Sequence, residues 1–128
     1  MAGKTIAIVE DDETLRKTFA LLLKGRYRVL AMGDAAEALS RLARSRADLV
    51  ITDYRLPGLN GLELIRRLRG AGFEGEAMLI SAHPDAIRVE EMSRLAISHF
   101  FVKPLDLDLL NASIDRALQA KIAPGSPA

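Results

Sequence analysis

Glu10-Asp11-Asp12, Asp53, Ser81 and Lys103 are the residues of this chain whose types could do chemistry together. Carboxylates brought close repel one another, and a hard divalent cation relieves that repulsion. Mg²⁺ prefers oxygen ligands, typically one or two carboxylates with waters and phosphate oxygens. A carboxylate beside a bound metal can also act as a nucleophile and form an aspartyl phosphate. What remains is to neutralise the charge spreading over the phosphoryl oxygens, a task for which Lys103, the Ser81 hydroxyl and the metal are suited. Taken singly, each residue has a plainer reading. Asp11 or Asp12 could cap a helix, Asp53 could start an Asx-turn, Ser81 could be a turn residue, and Lys103 a solvated surface lysine. The chemical reading requires that the fold bring them to one place.

The elements that would do so are legible as alternating strand-length and helix-period stretches. Thr5–Val9 is apolar on consecutive residues, as in a strand covered on both faces, and it stops at Glu10-Asp11-Asp12. Leu15, Phe19, Leu22 and Leu23 form a helical stripe, with Gly25 just past its end. Tyr27–Met32 reads as a second strand. Asp34 and Glu37 have capping-box spacing before a helix carrying Ala35, Ala38, Leu39 and Leu42. Leu49–Asp53 is a third strand ending on a carboxylate, and Pro57-Gly58 is a turn signal. Leu62, Ile65 and Leu68 line a third helix that stops near Gly70 and Gly72. Ala77–Ser81 is a fourth strand, and Pro84 suits the first turn of a fourth helix with a thin stripe of Ala86, Val89 and Met92. Ile97–Val102 is a fifth strand, closed by Lys103-Pro104. Leu107, Leu110, Ile114, Ala117 and Leu118 mark the last helix.

Five strands alternating with five helices predict a doubly wound α/β domain, a parallel sheet between two helical layers. Ligands of such sheets bind beyond the carboxyl ends of the strands. Glu10-Asp11-Asp12, Asp53, Ser81 and Lys103 each end a different strand, so all should emerge at one edge.

Composition narrows the function classes. At 128 residues the chain suits one core. Its 18 Lys and Arg against 17 Asp and Glu give a net charge of +1, which speaks against a general polyanion binder. No Cys and two His exclude disulfides, thiolate chemistry and a Cys-based zinc site. No apolar run is long enough to span a bilayer, and the N-terminus lacks a signal-peptide layout. The expectation is a cytoplasmic domain over residues 4–121, with a flexible tail or linker at 122–128.

Glu10-Asp11-Asp12, Asp53 followed by Leu56-Pro57 and Gly61, Ser81-Ala82, and Lys103-Pro104 together resemble the receiver (response-regulator) domain of bacterial two-component signalling, chemotaxis-regulator-like, over roughly residues 4–121. The resemblance implies a (βα)5 three-layer sandwich with flavodoxin-like strand order 2-1-3-4-5. It implies that Asp53 takes a phosphoryl group from a histidine kinase or phosphotransfer protein. Asp11, Asp12, Asp53 and the backbone carbonyl of Arg55 would hold Mg²⁺, Asp12 more directly and Asp11 through water. Lys103 would pair with a phosphoryl oxygen, and its bond to Pro104 would be cis. Ser81 and Phe100 would be the switch residues, with Phe101 facing the other way into the core. The relay would reach the face made by the fourth helix, fifth strand and last helix. That face would bind a downstream effector or a second copy.

Some positions depart from the family pattern. Arg55 stands two residues after the acceptor, where side chains tune phosphoryl lifetime, and Glu10 and His83 are further residues that could tune the site. Ala96-Ile97 replaces a small pair, with Ile97 expected to crowd Ser81. The clusters Arg41, Arg44, Arg46 and Arg66, Arg67, Arg69 read as solvated helix faces. Two other classes compete: a phosphorylation-independent interaction module on the same fold, and a metal-dependent phosphohydrolase. The second usually needs an Asp where Arg55 stands, so slow autodephosphorylation without small-molecule turnover is expected. No direct nucleic-acid or membrane contact is expected.

Overall fold

The computed structural model describes residues 3–120; the tail expected at 122–128 lies outside them. The chain alternates strictly: β1 (Thr5–Val9), α1 (Glu13–Leu23), β2 (Arg28–Met32), α2 (Ala35–Leu42), β3 (Leu49–Asp53), α3 (Gly61–Gly70), β4 (Glu76–Ser81), α4 (Val89–Arg94), β5 (Ile97–Val102) and α5 (Leu107–Ala120). All strand pairs are parallel, in the order β2-β1-β3-β4-β5. This is the doubly wound architecture that the alternation predicts.

Two faces of the sheet bury separate sets of side chains because successive strand residues point oppositely. Ile6, Ile8, Leu49, Ile51, Met78 and Ile80 pack against Phe19 and Leu23 of α1 and Leu110, Ile114 and Leu118 of α5. On the other face Ala7, Val9 and Val50 meet Ala35 and Ala38 of α2 and Leu64 and Leu68 of α3. Farther along that face, Leu62 and Ile65 of α3 pack with Leu79 and Leu95. Helix starts are sharply defined: Asp12, Asp34 and Asn60 accept from the main-chain N–H groups of Leu15, Glu37 and Glu63, satisfying otherwise orphaned donors. At α2 the return bond of the capping box comes from Gly33 N–H to Glu37 Oε1, one residue before the cap.

Three expectations need correction. Pro84 does not open the fourth helix: Pro84–Ala86 form a separate 3₁₀ turn, and α4 begins at Val89 and spans six residues with none buried. The thin apolar stripe is the reason, since it offers too little surface to hold a longer helix against the sheet. Ile97 does not crowd Ser81. It pairs with Ala77 at the opposite end of β4 and packs with Leu95 and Phe100. Arg69 is not on a solvated face; its contacts are described with α4 below.

A bulge at Ser98 sets which way β5 presents its side chains. Ala77 pairs with Ile97 but Met78 pairs with His99, and Ser98 Oγ donates to Ala77 O. The extra residue reverses the alternation, so Ile97 and Phe100 pack with the same cluster. Phe101 turns to the other face, where it joins the α1–α5 core and stacks on His99.

Candidate functional site

Glu10, Asp53, Ser81 and Lys103 come from four strand ends and meet at one edge of the sheet, as the strand-end reading expects. β3 delivers Asp53, whose side chain is 7% exposed and accepts from Lys103 Nζ at 2.9 Å. The same ammonium stands 3.5 Å from Glu10 Oε1. Lys103 is held there because its N–H donates to Ser81 O, and its bond to Pro104 is cis. Burial pulls the Lys103 pKa down, but the hydrogen bond to Asp53 and the charges of Glu10 and Asp53 outweigh it and raise it above the usual lysine value.

Glu10, Asp11 and Asp53 each offer a carboxylate oxygen, and these lie within 4.8 Å of one another. Asp12 is not in this group, against the expectation that it would be the more direct metal ligand. It is the N-cap of α1, its side chain accepting from Leu15 N–H at 3.0 Å, so the acids that gather with Asp53 are the two that precede it, Glu10 buried and Asp11 exposed. Glu10 is 1% exposed, and its Oε2 accepts from Asp12 N–H at 3.0 Å. Burial raises its pKa to about 7; the Asp12 N–H and Lys103 pull down, while Asp53 pushes up. The sequence placed Glu10 in the acidic cluster but assigned it a site-tuning role, with Asp11 and Asp12 as the metal ligands. Its place directly after the last β1 residue was the available signal.

Ser81 is buried, and its Oγ accepts from His83 N–H at 2.9 Å, which leaves the hydroxyl proton as a donor. The His83 and Arg55 side chains are exposed at the rim. Phe100 is half-buried against the α3–α4 cluster that also holds Tyr54, next to the acceptor strand end. Gly61 is required by close approach: a Cβ there would stand 2.4 Å from Asp53 O. Gly61 N–H donates to Tyr54 O at 2.7 Å, so α3 starts hard against the backbone carrying Asp53.

The donor set consists of carboxylate oxygens, which suits a hard cation such as Mg²⁺. A nearly buried carboxylate with an ammonium on one side and acids on the other can accept an electrophilic phosphorus, the ammonium meeting the oxygens that arrive with it.

Fold and site define a doubly wound parallel α/β domain with a carboxylate pocket at the carboxyl edge of its sheet. The chain belongs to the response regulator receiver domain family, whose model matches residues 6–115. It is 36% identical over 113 residues to the transcriptional regulatory protein FlgR of Helicobacter pylori, covering 87% of this chain and 29% of that protein. It is 25% identical over 122 residues to sporulation initiation phosphotransferase F of Bacillus subtilis, covering 94% of this chain and 98% of that one. The signal receiver domain of an HD domain-containing protein from Pseudomonas fluorescens Pf-5 superposes with a TM-score of 0.84 at 26% identity, over 92% of this chain and 96% of that chain. Receiver domains bind Mg²⁺ at an acidic pocket and interact with histidine kinases and effector domains. Among the described residues no helix is long and apolar enough to cross a membrane.

Proposed function

We propose that this chain, with residues 4–121 as the working unit, is a phosphorylation-activated switch whose phosphoacceptor is Asp53. A carboxylate oxygen of Asp53 attacks phosphorus of a phosphohistidine on a kinase or phosphotransfer protein. The new P–O bond forms as the P–N bond breaks, and the released imidazole takes up a proton. The observation that carries this reading is the near-buried Asp53 carboxylate, 2.9 Å from Lys103 Nζ and within reach of Glu10 and Asp11. Lys103 then pairs with a phosphoryl oxygen, and Ser81 donates its hydroxyl proton to another. Glu10, Asp11, Asp53 and the Arg55 carbonyl are the oxygens available to Mg²⁺, which when bound supplies positive charge to the transferring group. Turnover of a small substrate is not part of this reading; slow loss of the phosphoryl group to water is.

Phosphorylation adds about −1.5 to −2 charge at the pocket. Movement of Ser81 toward it frees space that Phe100 enters, and the face of α4, β5 and α5 repacks for an effector or a second copy. Such a shift requires that the phosphoryl group stabilise one arrangement more than the other.

The test is intact-mass measurement after incubation with an acyl- or amidophosphate donor and Mg²⁺. One phosphoryl group should be gained by the wild type and none by Asp53→Asn. A gain that survives Asp53→Asn places the acceptor elsewhere. Equal partner affinity with and without a phosphoryl mimic would favour the phosphorylation-independent module instead.

A further inference from the structure

One cation beside the acidic pocket takes no part in the chemistry above. Arg16, in α1, sends Nη1 back to the main-chain carbonyl of Glu10 at 2.7 Å. Glu10 N–H already donates to Met32 O at 3.0 Å, and its carboxylate accepts from Asp12 N–H. The residue that ends β1 is therefore fixed through its amide, its carbonyl and its side chain, and the turn into Asp11 departs from a rigid point. Gly33 admits the guanidinium: a Cβ there would meet Arg16 Nη1 at 3.1 Å.

We infer that Arg16 is a positioning residue for the divalent-cation pocket. By holding the Glu10 carbonyl it sets where the Glu10 and Asp11 carboxylates stand, although its own charge opposes a cation. The inference rests on the metal-binding part of the proposed function. Its two physical effects have opposite signs, which makes it testable. As a bare charge, Arg16 repels Mg²⁺, so removing it should tighten binding. As an orienting group behind the ligands, its removal should weaken binding, on the order of tenfold for groups of this kind.

The experiment is calorimetric titration of the full chain with MgCl₂ alone, comparing wild type, Arg16→Gln and Gly33→Ala. Melting curves in the absence of Mg²⁺ confirm that each variant is folded. Arg16→Gln is expected to bind Mg²⁺ about tenfold more weakly. Gly33→Ala keeps the charge and the donor but shifts the guanidinium by a few tenths of an ångström, so it should weaken binding in the same direction and by less. Unchanged or tighter binding by Arg16→Gln overturns the inference and leaves the functional reading standing. A wild type that does not bind Mg²⁺ overturns both. If Arg16→Gln does not fold, Gly33→Ala decides: weaker binding supports the inference, and unchanged binding overturns it.

Discussion

Glu10 combines near-complete burial with a neighbouring carboxylate, and its pKa of about 7 is the clearest electrostatic consequence of the pocket. The unfolded chain would ionise this group near 4.5, so the folded state holds its proton more tightly. Stability from this group is thus fully present below pH 4.5 and is lost as pH rises through 7. At about 1.4 kcal/mol per pH unit between the two values, the ceiling is about 3 kcal/mol. Asp53 opposes ionisation and Lys103 favours it; the raised Lys103 value places that group's own window above pH 10.5. In EDTA, wild-type stability in urea should fall between pH 5 and 8, whereas Glu10→Gln should stay nearly flat. Mg²⁺ should recover much of the loss at pH 8 by replacing the proton as the neutralising charge. Parallel profiles for the two proteins would assign the pH dependence to another group. Gly61 gives a second prediction, in which two effects compete. Alanine gains roughly 0.5–1 kcal/mol in a helix through chain entropy, but here its Cβ would stand 2.4 Å from a main-chain oxygen of the acceptor residue. The clash should win, costing about 1–3 kcal/mol net and slowing phosphorylation by between about tenfold and a hundredfold through displacement of Asp53. Urea melts and donor kinetics read the two effects separately. Three consecutive acids could not reveal from sequence alone which pair gathers with Asp53. That depends on where α1 starts, because the residue that caps it has its carboxylate committed to Leu15 N–H.

Among the helices, α4 relies most on polar contacts, with Met92 its one apolar side chain packed on the Leu62–Leu79 cluster. It has no buried residue within its six, and Val89 is 71% exposed. Arg66 of α3 reaches Glu91 at 3.1 Å, an exposed pair that contributes little by itself. Arg69 matters more. Its guanidinium donates to the carbonyls of Leu95, Ala96, Phe73 and Gly75 and lies over the Phe73 ring at 5.0 Å. It thereby closes the end of α4, where Ala96 adopts the left-handed φ of 56°, and ties that turn to the α3–β4 loop. Arg69→Ala should cost about 2 kcal/mol, since hydrogen bonds to a charged group each contribute roughly 1.5–3 and this one is only half-buried. Amide exchange over residues 88–97 should accelerate more than exchange over α3. Lysine should not rescue it, because one ammonium cannot span the carbonyls that a planar fork reaches. Uniform acceleration across the domain would mean that Arg69 supports the whole core rather than α4. The contrast in legibility between α3 and α4 has the same root. Burial writes a period into α3 through Leu62, Ile65 and Leu68, whereas a helix fastened largely by Arg66 to a carboxylate and by Arg69 to main-chain carbonyls leaves none. The Ser98 bulge is equally silent, although it decides that Ile97 shares a cluster with Phe100. By contrast, the strand ends were readable because buried parallel strands are apolar runs, and their first polar residues announce the edge.

On the scale of the whole molecule, the exposed apolar side chains are unevenly placed. Of the four large hydrophobics exposed among the described residues, Val89, Val102 and Leu109 belong to α4, β5 and α5, and only Leu21 lies elsewhere. β5 is also an edge strand, so this side of the sheet has no further strand against it. Arg88, Glu90, Glu91 and Arg94 put both signs of charge on and beside α4. An isologous contact, in which one patch meets its own copy, can therefore set unlike charges opposite each other. A net charge of +1 adds no long-range repulsion between copies. The proposed switch accordingly predicts association through this face when the pocket is loaded. A specific contact needs about 800 Å² from each partner, enough to engage all three elements. Light scattering of the full chain with Mg²⁺ should give the mass of one copy, and addition of beryllofluoride should raise it toward two. Asp53→Asn should abolish the rise, and Val102→Glu should abolish it while leaving phosphoryl gain intact. Two copies in both conditions would indicate a constitutive surface uncoupled from Asp53. A mass of one copy throughout would leave phosphorylation in place and assign the face to an effector of different sequence. In either case the outcome turns on whether charge added at one edge of the sheet reaches β5, the strand that carries both Phe100 and Val102 and leads directly into Lys103.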